Sequence, residues 1–389
     1  MDILKLKKNH DSRIRGGHLW VFSNELIEVP QLEPGSVVEV YNYQNESFGY
    51  GFYNPNSLIA VRLLKTKNDI DVSFFIERIN QALRYRNNLN LDLRLLRLVF
   101  GESDFLPGLI IDKYEEYFAV QTSSFGMDIN KSLIVEALLK IFPETKGIIE
   151  KNNNSARENE GLALNQSVLF GQIPDVIQTV ENSIKLSIAI DQGQKTGYFL
   201  DQKLNRLYLQ NISRGLKVLD CFCNLGGFGL NCARGGAKKI TCIDSSASAL
   251  ENAKKNFSIN NFNNAEFVEE DVFKFLSDEL NDGRLKDIII LDPPAFAKNK
   301  KSIHSAKSGY AKLNRLALKL LTNSGFLVSS SCSWHIDEDT FFKIIVKEAE
   351  KLNKQLRIVF TGKQSPDHPI LVSMPETKYL KFFVFEVTG

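Results

Sequence analysis

The sequence has 389 residues, which is longer than one ordinary domain, so two or three domains are expected. Its hydrophobic content of 43% and charged content of 24% are typical of globular proteins. The formal net charge is only +2, so any surface that binds nucleic acid must be a local basic patch. No run approaches the roughly 18 apolar residues of a membrane-spanning helix, and the charges near the N-terminus argue against a secretory signal.

The cysteines indicate a reducing compartment. There are five, an odd number, and most of them cluster in one short window. Cys221 and Cys223 alternate along a predicted strand instead of forming a C-x-x-C pair, and no second Cys or His pair lies at zinc spacing. We therefore expect a cytoplasmic protein that needs no metal and has no membrane partner.

The N-terminal part has the texture of a small β barrel. Up to about residue 67, short runs such as 36–41 and 58–63 alternate apolar and polar residues, and turn-forming stretches such as 54–57 separate them. Residues 71–88 then carry apolar side chains at helical spacing, which predicts a helix.

A mixed α+β pattern follows, from about residue 96 to 190. Residues 109–112 and 117–121 read as paired strands, and a helix is predicted at 128–141. The polar run 151–155 is expected to be a loop or a surface bulge.

From residue 214 onward, strands and helices alternate. Strands are predicted at 216–220, 239–244, 265–269, 287–292 and 326–331, and helices at 227–234, 246–257, 303–322 and 338–353. Near-continuous apolar strands in this order predict a parallel sheet that is covered on both faces. The last two strands, at 356–361 and 379–387, are expected to form an antiparallel hairpin at the edge of that sheet.

The loop after the first of these strands has the features of a cofactor site. Gly226 and Gly227 allow a tight turn and a close approach to a ligand at the carboxyl end of the strand. The spacing is not G-x-G-x-x-G, which disfavours a dinucleotide and an NAD enzyme.

Three carboxylates end three successive strands and suggest which cofactor binds. Asp220 would face a cationic group, Asp244 could accept hydrogen bonds from two ribose hydroxyls, and Asp271 could reach an adenine amino group while Val272 packs on the ring. Each aspartate alone is more often a helix cap. In this order they describe S-adenosylmethionine (SAM). The predicted set at these strand ends also includes Phe222, Asn224, Gly226, Gly227, Phe228 and Ser245.

The fourth strand ends in Asp292-Pro293-Pro294-Ala295-Phe296. The two prolines fix the backbone, and an exposed Phe296 would offer a stacking face to a planar base. SAM enzymes present polar acceptors to amino or imine groups with such a loop. The alternative is a proline stop after a buried strand.

Cys332 follows the fifth strand and should lie beside Asp292, since the fourth and fifth strands are expected to be neighbours. C5 of cytosine is a poor nucleophile, but thiolate addition at C6 makes it reactive, and a base then removes the C5 proton. Asp292 is placed to act as the acid near N3 or N4. The alternative is a buried, inert cysteine.

Taken together, these residues resemble the RlmI-type class I SAM-dependent 23S ribosomal RNA cytosine-5 methyltransferases, over essentially the whole chain. The resemblance is carried by Arg15–Phe22, Gly49–Pro55, Glu102–Leu109 and, most specifically, Asp191–Gln202. It implies an α/β fold: a PUA-like RNA-binding β barrel over 1–70, a linker helix with an α+β central domain over 71–190, and a Rossmann-like methyltransferase domain with a seven-stranded, mostly parallel sheet over 191–389.

The resemblance also implies roles for individual residues. Cys332 takes the place of the family's nucleophile, and the loop from Asp292 to Phe296 that of its base-binding loop. The loop contains no cysteine, so a two-cysteine mechanism is not available there. The stretch before the SAM domain lines the methionine end of the cofactor and adds Lys195, Thr196, Tyr198, Phe199 and Asp201 to the expected cofactor set.

Ribosomal RNA of the large subunit is the expected partner. Residues 298–319 contain many basic and no acidic side chains, which predicts either a phosphate-binding rim or a solvated helix face. The basic residues are Lys298, Lys300, Lys301, Lys307, Lys312, Arg315 and Lys319, with His304. Pro293, Pro294 and Phe296 would hold the base, which must be flipped out of any duplex. In the barrel, Arg15, His18 and Trp20 are further candidates, although packing in the barrel core is the favoured expectation for Trp20.

The sequence predicts 5-methylcytosine formation in large-subunit ribosomal RNA and leaves two alternatives open. One is a guanine-N7 ribosomal RNA methyltransferase of the same architecture, which needs no thiol. The other is a non-catalytic RNA-binding or ribosome-assembly factor that retains SAM only structurally. The oligomeric state stays open, with a homodimer as one alternative.

Overall fold

A computed structural model describes residues 1–191, 196–297 and 300–389, without the side chain of Lys300. This part of the chain divides into two compact units. The first comprises Met1–Thr179, Ile188–Leu200 and Pro366–Lys378, and the second comprises Val180–Ser187, Asp201–Ser365 and Tyr379–Gly389.

The first unit begins with a five-stranded sheet. Its elements are β1 (Asp2–Lys5), α1 (Ser12–Arg15), β2 (Trp20–Val21), β3 (Val37–Tyr41), β4 (Ser47–Tyr53) and β5 (Val61–Leu63). The strand order is β1-β3-β4-β5-β2. Alternate residues such as Val38 and Val40 are fully buried, so the predicted period-two pattern is confirmed. The strand expected at 58–63 begins only at Val61.

The same unit continues with a second five-stranded sheet and three helices. Its elements are α2 (Val72–Asn88), β6 (Leu95–Phe100), β7 (Leu109–Tyr114), β8 (Tyr117–Thr122), α3 (Phe125–Ile129), α4 (Lys131–Ile141), β9 (Gly147–Asn152) and β10 (Asn165–Gly171), in sheet order β10-β9-β8-β7-β6. The helix predicted at 71–88 is confirmed. Asp71 caps it by accepting a hydrogen bond from the amide of Phe74 (3.0 Å), and Phe75 and Ile79 are fully buried.

Two expectations for this region need correction. The helix predicted at 128–141 is two helices, α3 and α4, which meet at Asn130. Lys151 and Asn152, expected in a loop, end strand β9 and are 1% and 0% exposed. Asn152 accepts a hydrogen bond from the amide of Thr122 (2.8 Å), and Lys151 donates to the carbonyl of Asp191 (2.5 Å). Internal hydrogen bonds therefore let these polar side chains be buried, which composition alone does not reveal.

The second unit contains a seven-stranded sheet. Its elements are α5 (Lys203–Ile212), β13 (Lys217–Cys221), α6 (Gly227–Arg234), β14 (Lys239–Asp244), α7 (Ala247–Ile259), β15 (Ala265–Glu269), α8 (Val272–Asp282), β16 (Lys286–Leu291), α9 (Ile303–Leu320), β17 (Leu321–Ser331), α10 (Glu338–Glu350), β18 (Gln355–Gly362) and β19 (Lys381–Thr388). Before it, β11 (Ile177–Glu181) and β12 (Ile184–Ile188) form a two-stranded sheet.

The order of the large sheet is β15-β14-β13-β16-β17-β19-β18. The first five strands pair in parallel, whereas β19 pairs antiparallel with both β17 and β18. The predicted Rossmann-like fold, the neighbouring fourth and fifth strands and the antiparallel edge hairpin are confirmed. Two helices, α5 and α8, were not predicted. In α8, Asp271 as a cap and Val272, Leu276 and Leu280 at helical spacing could have revealed it.

No helix in the described part of the chain is both long and apolar enough to cross a membrane.

A buried ion pair anchors α2 within the first unit. Arg86 is 0% exposed, and its guanidinium donates to both carboxylate oxygens of Asp104 (2.7 and 2.8 Å). It also donates to the backbone carbonyls of Arg97 (2.7 Å) and Asp367 (2.8 Å). This one side chain therefore joins a helix, a strand, a turn and a segment close to the C-terminus.

We expect Arg86→Leu to destabilise the protein by about 3–5 kcal/mol, because it leaves the Asp104 carboxylate buried without its cation. Chemical denaturation measures the change. The matched control is Arg94→Leu, which breaks the exposed pair with Asp92 (2.8 Å) and should cost less than about 1 kcal/mol. An equal decrease in the free energy of unfolding in the two variants would contradict the conclusion that the buried ion pair stabilises the protein more than the exposed one.

Candidate active site

The site of the second unit lies at the carboxyl ends of its parallel strands. After β13 the chain builds β14 and β15 on one side, and it then returns to place β16 on the other side of β13. Ligands of open α/β sheets bind at such a reversal of strand order. The carboxyl ends of the neighbouring strands β14, β13, β16 and β17 bring together Asp244, Asp220, Asp292 and Cys332, respectively. We refer to these four residues as the strand-end cluster.

The loop between β13 and α6 has an unusual backbone. Phe222, Asn224 and Gly226 all have positive φ angles, of 62°, 49° and 76°. Only glycine adopts this region without strain, and strained residues concentrate at ligand sites. A Cβ atom at Gly226 would also come within 3.1 Å of the ring of Phe257 and 3.2 Å of Ala253. The glycine here is therefore required both for conformation and for space.

Asp220 is a buried carboxylate that is only half satisfied. Its Oδ2 accepts a hydrogen bond from the amide of Gly229 (2.8 Å), whereas Oδ1 is buried with no hydrogen-bond partner in the described structure. Burial raises the pKa of Asp220 to about 7, the Gly229 amide opposes this rise, and repulsion from Asp292 and Asp244 adds to it. A buried acceptor without a donor, among other carboxylates, suits a cationic ligand.

Asp244 connects the end of β14 to the loop. It is half-buried, its Oδ2 accepts a hydrogen bond from the amide of Asn224 (2.9 Å), and its Oδ1 accepts one from the amide of Ser246 (3.0 Å). Ser245, between them, is exposed. A carboxylate oxygen has more than one lone pair, so both oxygens of Asp244 can still accept hydroxyl groups of a ligand.

Several other members of the predicted cofactor set cap a helix or pack within the second unit. Asp271 is exposed and caps α8 by accepting from the amide of Lys274 (3.0 Å). Val272 is 2% exposed within the hydrophobic core, which corrects the expectation that it packs on a ligand ring. Phe228 is also buried and stacks on Phe382, with ring centroids 5.9 Å apart. Phe222 is half-buried, and Gly227 begins α6.

The members that precede α5 fall into different units. Thr196 and Tyr198 belong to the first unit, where the Thr196 hydroxyl donates to Asp112 and the Tyr198 amide donates to the hydroxyl of Tyr114 (3.2 Å). Phe199 is half-buried in the same unit. Asp201 belongs to the second unit.

Asp201 accepts a hydrogen bond from the hydroxyl of Tyr379 (2.5 Å). Lys195 lies outside the described residues.

Asp292 is oriented by residues that sequence reasoning left out. Its Oδ1 accepts hydrogen bonds from the side-chain amide of Gln202 (3.1 Å) and from the hydroxyl of Ser330. Gln202 is held in turn by the side-chain amide of Asn205 (2.6 Å). Gln202 and Asn205 were missed because their helical turn was not predicted.

The base-binding loop differs from the expectation at one position. Pro293 is buried and Pro294 is exposed. Phe296, expected to be exposed, is half-buried and packs on Tyr310 and Phe273, with centroid distances of 4.7 and 6.3 Å. Its contacts with α8 and α9 explain the difference, because both helices lie over this side of the sheet. The side chain therefore offers less free surface to a base than predicted.

Cys332 is half-buried, whereas the other four cysteines are buried. It follows the last residue of β17, and it lies between Ser331 and Ser333, which are both 0% exposed. The alternative of an inert cysteine in the core is therefore not what the structure shows.

Two residues beyond Cys332, Trp334 is 53% exposed with its ring edge-on to His335. Sequence reasoning did not select Trp334 as a site residue. A tryptophan two residues after the candidate nucleophile, in the loop that follows a strand, is the sequence signal that could have found it.

The basic rim is only partly described. Lys298 lies outside the described residues, and Lys300 begins a short 3₁₀ turn with its side chain not described. The other lysines of this stretch and its histidine are exposed, namely Lys301, His304, Lys307, Lys312 and Lys319. Arg315 pairs with Glu348 (3.5 Å). These exposed cations remain compatible with phosphate contacts and with a solvated helix face.

The three RNA candidates of the barrel differ in how exposed they are. His18 is 5% exposed, and Trp20 is half-buried, with its indole nitrogen donating to Glu102 (2.8 Å). Arg15 is exposed but forms ion pairs with Asp11 (2.6 Å) and Glu46. His18 is therefore a structural residue of the barrel. Among the described residues there is no group of three or more side chains that could hold a metal ion.

Comparison with known families agrees with this architecture. Residues 4–66 match a PUA-like domain, and residues 165–380 match an S-adenosylmethionine-dependent methyltransferase. The second match covers more than half of the chain. The fold, the cofactor loop and these matches define a SAM-dependent methyltransferase that carries a PUA-like domain.

Relatives of similar length narrow the class. Proteins named ribosomal RNA large subunit methyltransferase I from Aliivibrio fischeri and from Vibrio cholerae are each 38% identical to this chain over 98% of both sequences. The protein of that name from Escherichia coli is 33% identical over 99% of both. The chain belongs to the ribosomal RNA large subunit methyltransferase I family.

Solved structures share the fold over nearly the whole chain. A methyltransferase candidate complexed with S-adenosylhomocysteine is 25% identical, with a TM-score of 0.87 over 99% of this chain and all of that one. A SAM-dependent methyltransferase candidate from Streptococcus mutans, 24% identical with a TM-score of 0.85 over the same shares, supports the fold alone.

Proposed function

We propose that this protein methylates C5 of a cytosine in large-subunit ribosomal RNA and that Cys332 is its nucleophile. The relatives' names support ribosomal RNA as the substrate class. The observation that carries the cytosine assignment is the half-buried thiol of Cys332 at the end of β17, beside the strand that leads to Asp292.

SAM fits the ends of β13 and β14. Asp220 offers a buried oxygen with no donor, the strained loop from Phe222 to Gly226 can bring its backbone close to a ligand, and Asp244 offers acceptors to ribose hydroxyls. When bound, SAM supplies an electrophilic methyl group on a sulfonium. By the family pattern, Asp201 of the second unit also belongs to the proposed cofactor set.

The other two residues of the strand-end cluster, Asp292 and Cys332, would act on the base. The Cys332 thiolate adds to C6 of cytosine while the Asp292 carboxylic acid donates its proton to N3, which neutralises the negative charge that the addition places on the ring and leaves an enamine that is nucleophilic at C5. Once C5 carries the new methyl group, a general base accepts the C5 proton, and the electrons of that C–H bond form the C5–C6 double bond and expel the Cys332 thiolate. The Asp292 carboxylate then takes back the proton from N3. Gln202 and Ser330 hold the Asp292 carboxyl in one orientation throughout.

The surfaces beside the thiol suit RNA. Trp334 offers an exposed aromatic face for stacking, and the exposed Lys307, about one turn before Tyr310 on α9, offers a cation to phosphate groups. We assign to this face the segment of RNA that flanks the extruded base. A PUA-like barrel is a second platform for folded RNA, with Arg15 on its surface.

We expect Cys332→Ala to abolish 5-methylcytosine formation, because no other described residue of the cluster is a thiol. The assay is methyl transfer from labelled SAM to ribosomal RNA purified from a strain that lacks the gene, with the modified base identified by mass spectrometry. Cys232→Ala is the control, since Cys232 is 0% exposed in α6 and should leave transfer intact.

Methylation of guanine N7 that persists in Cys332→Ala would replace the cytosine assignment with the guanine alternative. A wild-type protein that binds SAM and transfers no methyl group to any ribosomal RNA would instead support the non-catalytic assembly factor.

We expect Asp244→Ala to weaken SAM binding by more than about tenfold, since hydrogen bonds to a charged acceptor contribute about 1.5–3 kcal/mol. Isothermal titration calorimetry measures the dissociation constant. Asp282→Ala, at the exposed end of α8, removes a carboxylate away from the cluster and is the control. Unchanged affinity in Asp244→Ala would refute the ribose assignment.

SAM affinity should depend on pH through Asp220, whose pKa is raised to about 7 by burial. A cationic ligand favours the carboxylate, so protons compete with it, and the dissociation constant should rise about tenfold per pH unit below 7 and level off above it. Titrations between about pH 5.5 and 8.5 test this linkage. Asp220→Asn should bind weakly with no such slope, and a slope that survives this substitution would assign the titration to another group.

A further inference from the structure

The backbone that carries Cys332 is held from behind by a network of buried hydroxyl groups. Ser331 and Ser333 point to one side of the chain, where the hydroxyl of Tyr310 meets both of them at 2.9 Å. All three residues are 0% exposed. Since Cys332 lies between the two serines and is half-buried, alternation along the chain directs its side chain to the side opposite this network.

The same hydroxyl network reaches the base-binding loop. The amide of Ala297, directly after Phe296, donates to the hydroxyl of Ser333 (3.2 Å). The ring of Tyr310 packs against Phe296, with centroids 4.7 Å apart, and edge-on against Phe341, with centroids 5.1 Å apart. Tyr310 on α9 therefore contacts both the segment after β16 and the segment after β17.

A buried ammonium group secures the far side of this segment. Lys381 is 5% exposed and stands opposite Ser331 in the β17–β19 register. Its Nζ donates to the backbone carbonyls of Ser333 (2.7 Å) and Tyr379 (2.8 Å). The residue after Cys332 is thus fixed through its side chain by α9 and through its carbonyl by β19.

We propose that Tyr310 is a positioning residue of the reaction, which acts through Ser331 and Ser333 to set where the Cys332 thiol stands relative to the base-binding loop. The inference rests on the proposed role of Cys332 as nucleophile. Nucleophilic attack requires the sulfur and C6 of the base to meet at about 3–3.5 Å, and a shift of about 1 Å can cost a hundredfold in rate.

The chemistry of the tyrosine suits this role. Burial raises the pKa of Tyr310, and the two serine hydroxyls oppose the rise. The phenol therefore stays protonated near neutral pH and can donate one hydrogen bond and accept another at the same time. Phenylalanine keeps the ring packing and removes only the hydrogen bonds of the hydroxyl group, with Ser331, Ser333 and the backbone of Phe296.

The test compares Tyr310→Phe with wild type in the full-length protein, using ribosomal RNA from the gene-deletion strain. We expect kcat to fall by about tenfold or more while the KM values for RNA and SAM stay within about twofold, because the variant disturbs the thiol and not the binding surfaces. Thermal denaturation confirms that the variant is folded. Tyr208→Phe is the matched control, since it removes one tyrosine hydrogen bond, to the carbonyl of Val359 (3.3 Å), within the same unit.

A double-mutant cycle separates positioning from general destabilisation. Tyr310→Phe and Ser331→Ala break the same hydrogen bond. The kcat of the double variant should therefore be little lower than that of the more impaired single variant. The combination of Tyr310→Phe with Tyr208→Phe should instead show the product of the two single effects. Additive losses of Tyr310→Phe and Ser331→Ala, or an equal fall of kcat in Tyr208→Phe, would overturn the inference.

A readout without methyl transfer keeps this inference separate from the proposed function. The alkylation rate of Cys332 by iodoacetamide, followed on its peptide by mass spectrometry, should change at least about threefold in Tyr310→Phe and not in Tyr208→Phe. Full activity of Cys332→Ala would refute the nucleophile. An unchanged alkylation rate together with an unchanged kcat in Tyr310→Phe would refute the positioning role alone.

Discussion

Parallel pairing of four neighbouring strands is the constraint on which the site depends. Because β14, β13, β16 and β17 run in the same direction, their carboxyl ends meet at one edge of the sheet and bring Asp244, Asp220, Asp292 and Cys332 to that edge. The arrangement buries the Asp220 carboxyl near two other carboxylates: burial is the main cause of its raised pKa, and repulsion from Asp292 and Asp244 adds to it. A cationic methyl donor is the ligand that relieves this repulsion, whereas an anionic pyrophosphate would increase it.

The order of strands and helices along the chain allowed the parallel sheet and most of the site at its edge to be predicted. Alternation of apolar strands and helices after residue 214 fixed the parallel sheet, and the position of each strand end identified the four residues of the strand-end cluster. Contacts that form only after folding could not be predicted in this way. Gln202 reaches Asp292 from a turn before α5, and Ser330 differs in no local respect from the serines on either side of it.

Burial was the least predictable property. Composition suggested an exposed polar run at Lys151 and Asn152, and a free aromatic face at Phe296, yet neighbouring elements cover all three. The reason is the same in each case, because exposure depends on residues far away in the chain. Val272 shows the complementary effect, since a helix start that looks like a ligand contact in sequence is a core position once α8 packs against the sheet.

The half-satisfied carboxylate of Asp220 also bears on how long the protein survives in a cell. A buried acceptor that lacks a donor costs about 1–3 kcal/mol. Together with the strained loop, this cost makes the ligand-free protein less stable to unfolding than the ligand-bound protein. A ligand that binds only the folded chain shifts the folding equilibrium away from the unfolded and partly unfolded chains that proteases cleave. A bound methyl donor is therefore expected to protect the folded chain from proteolysis.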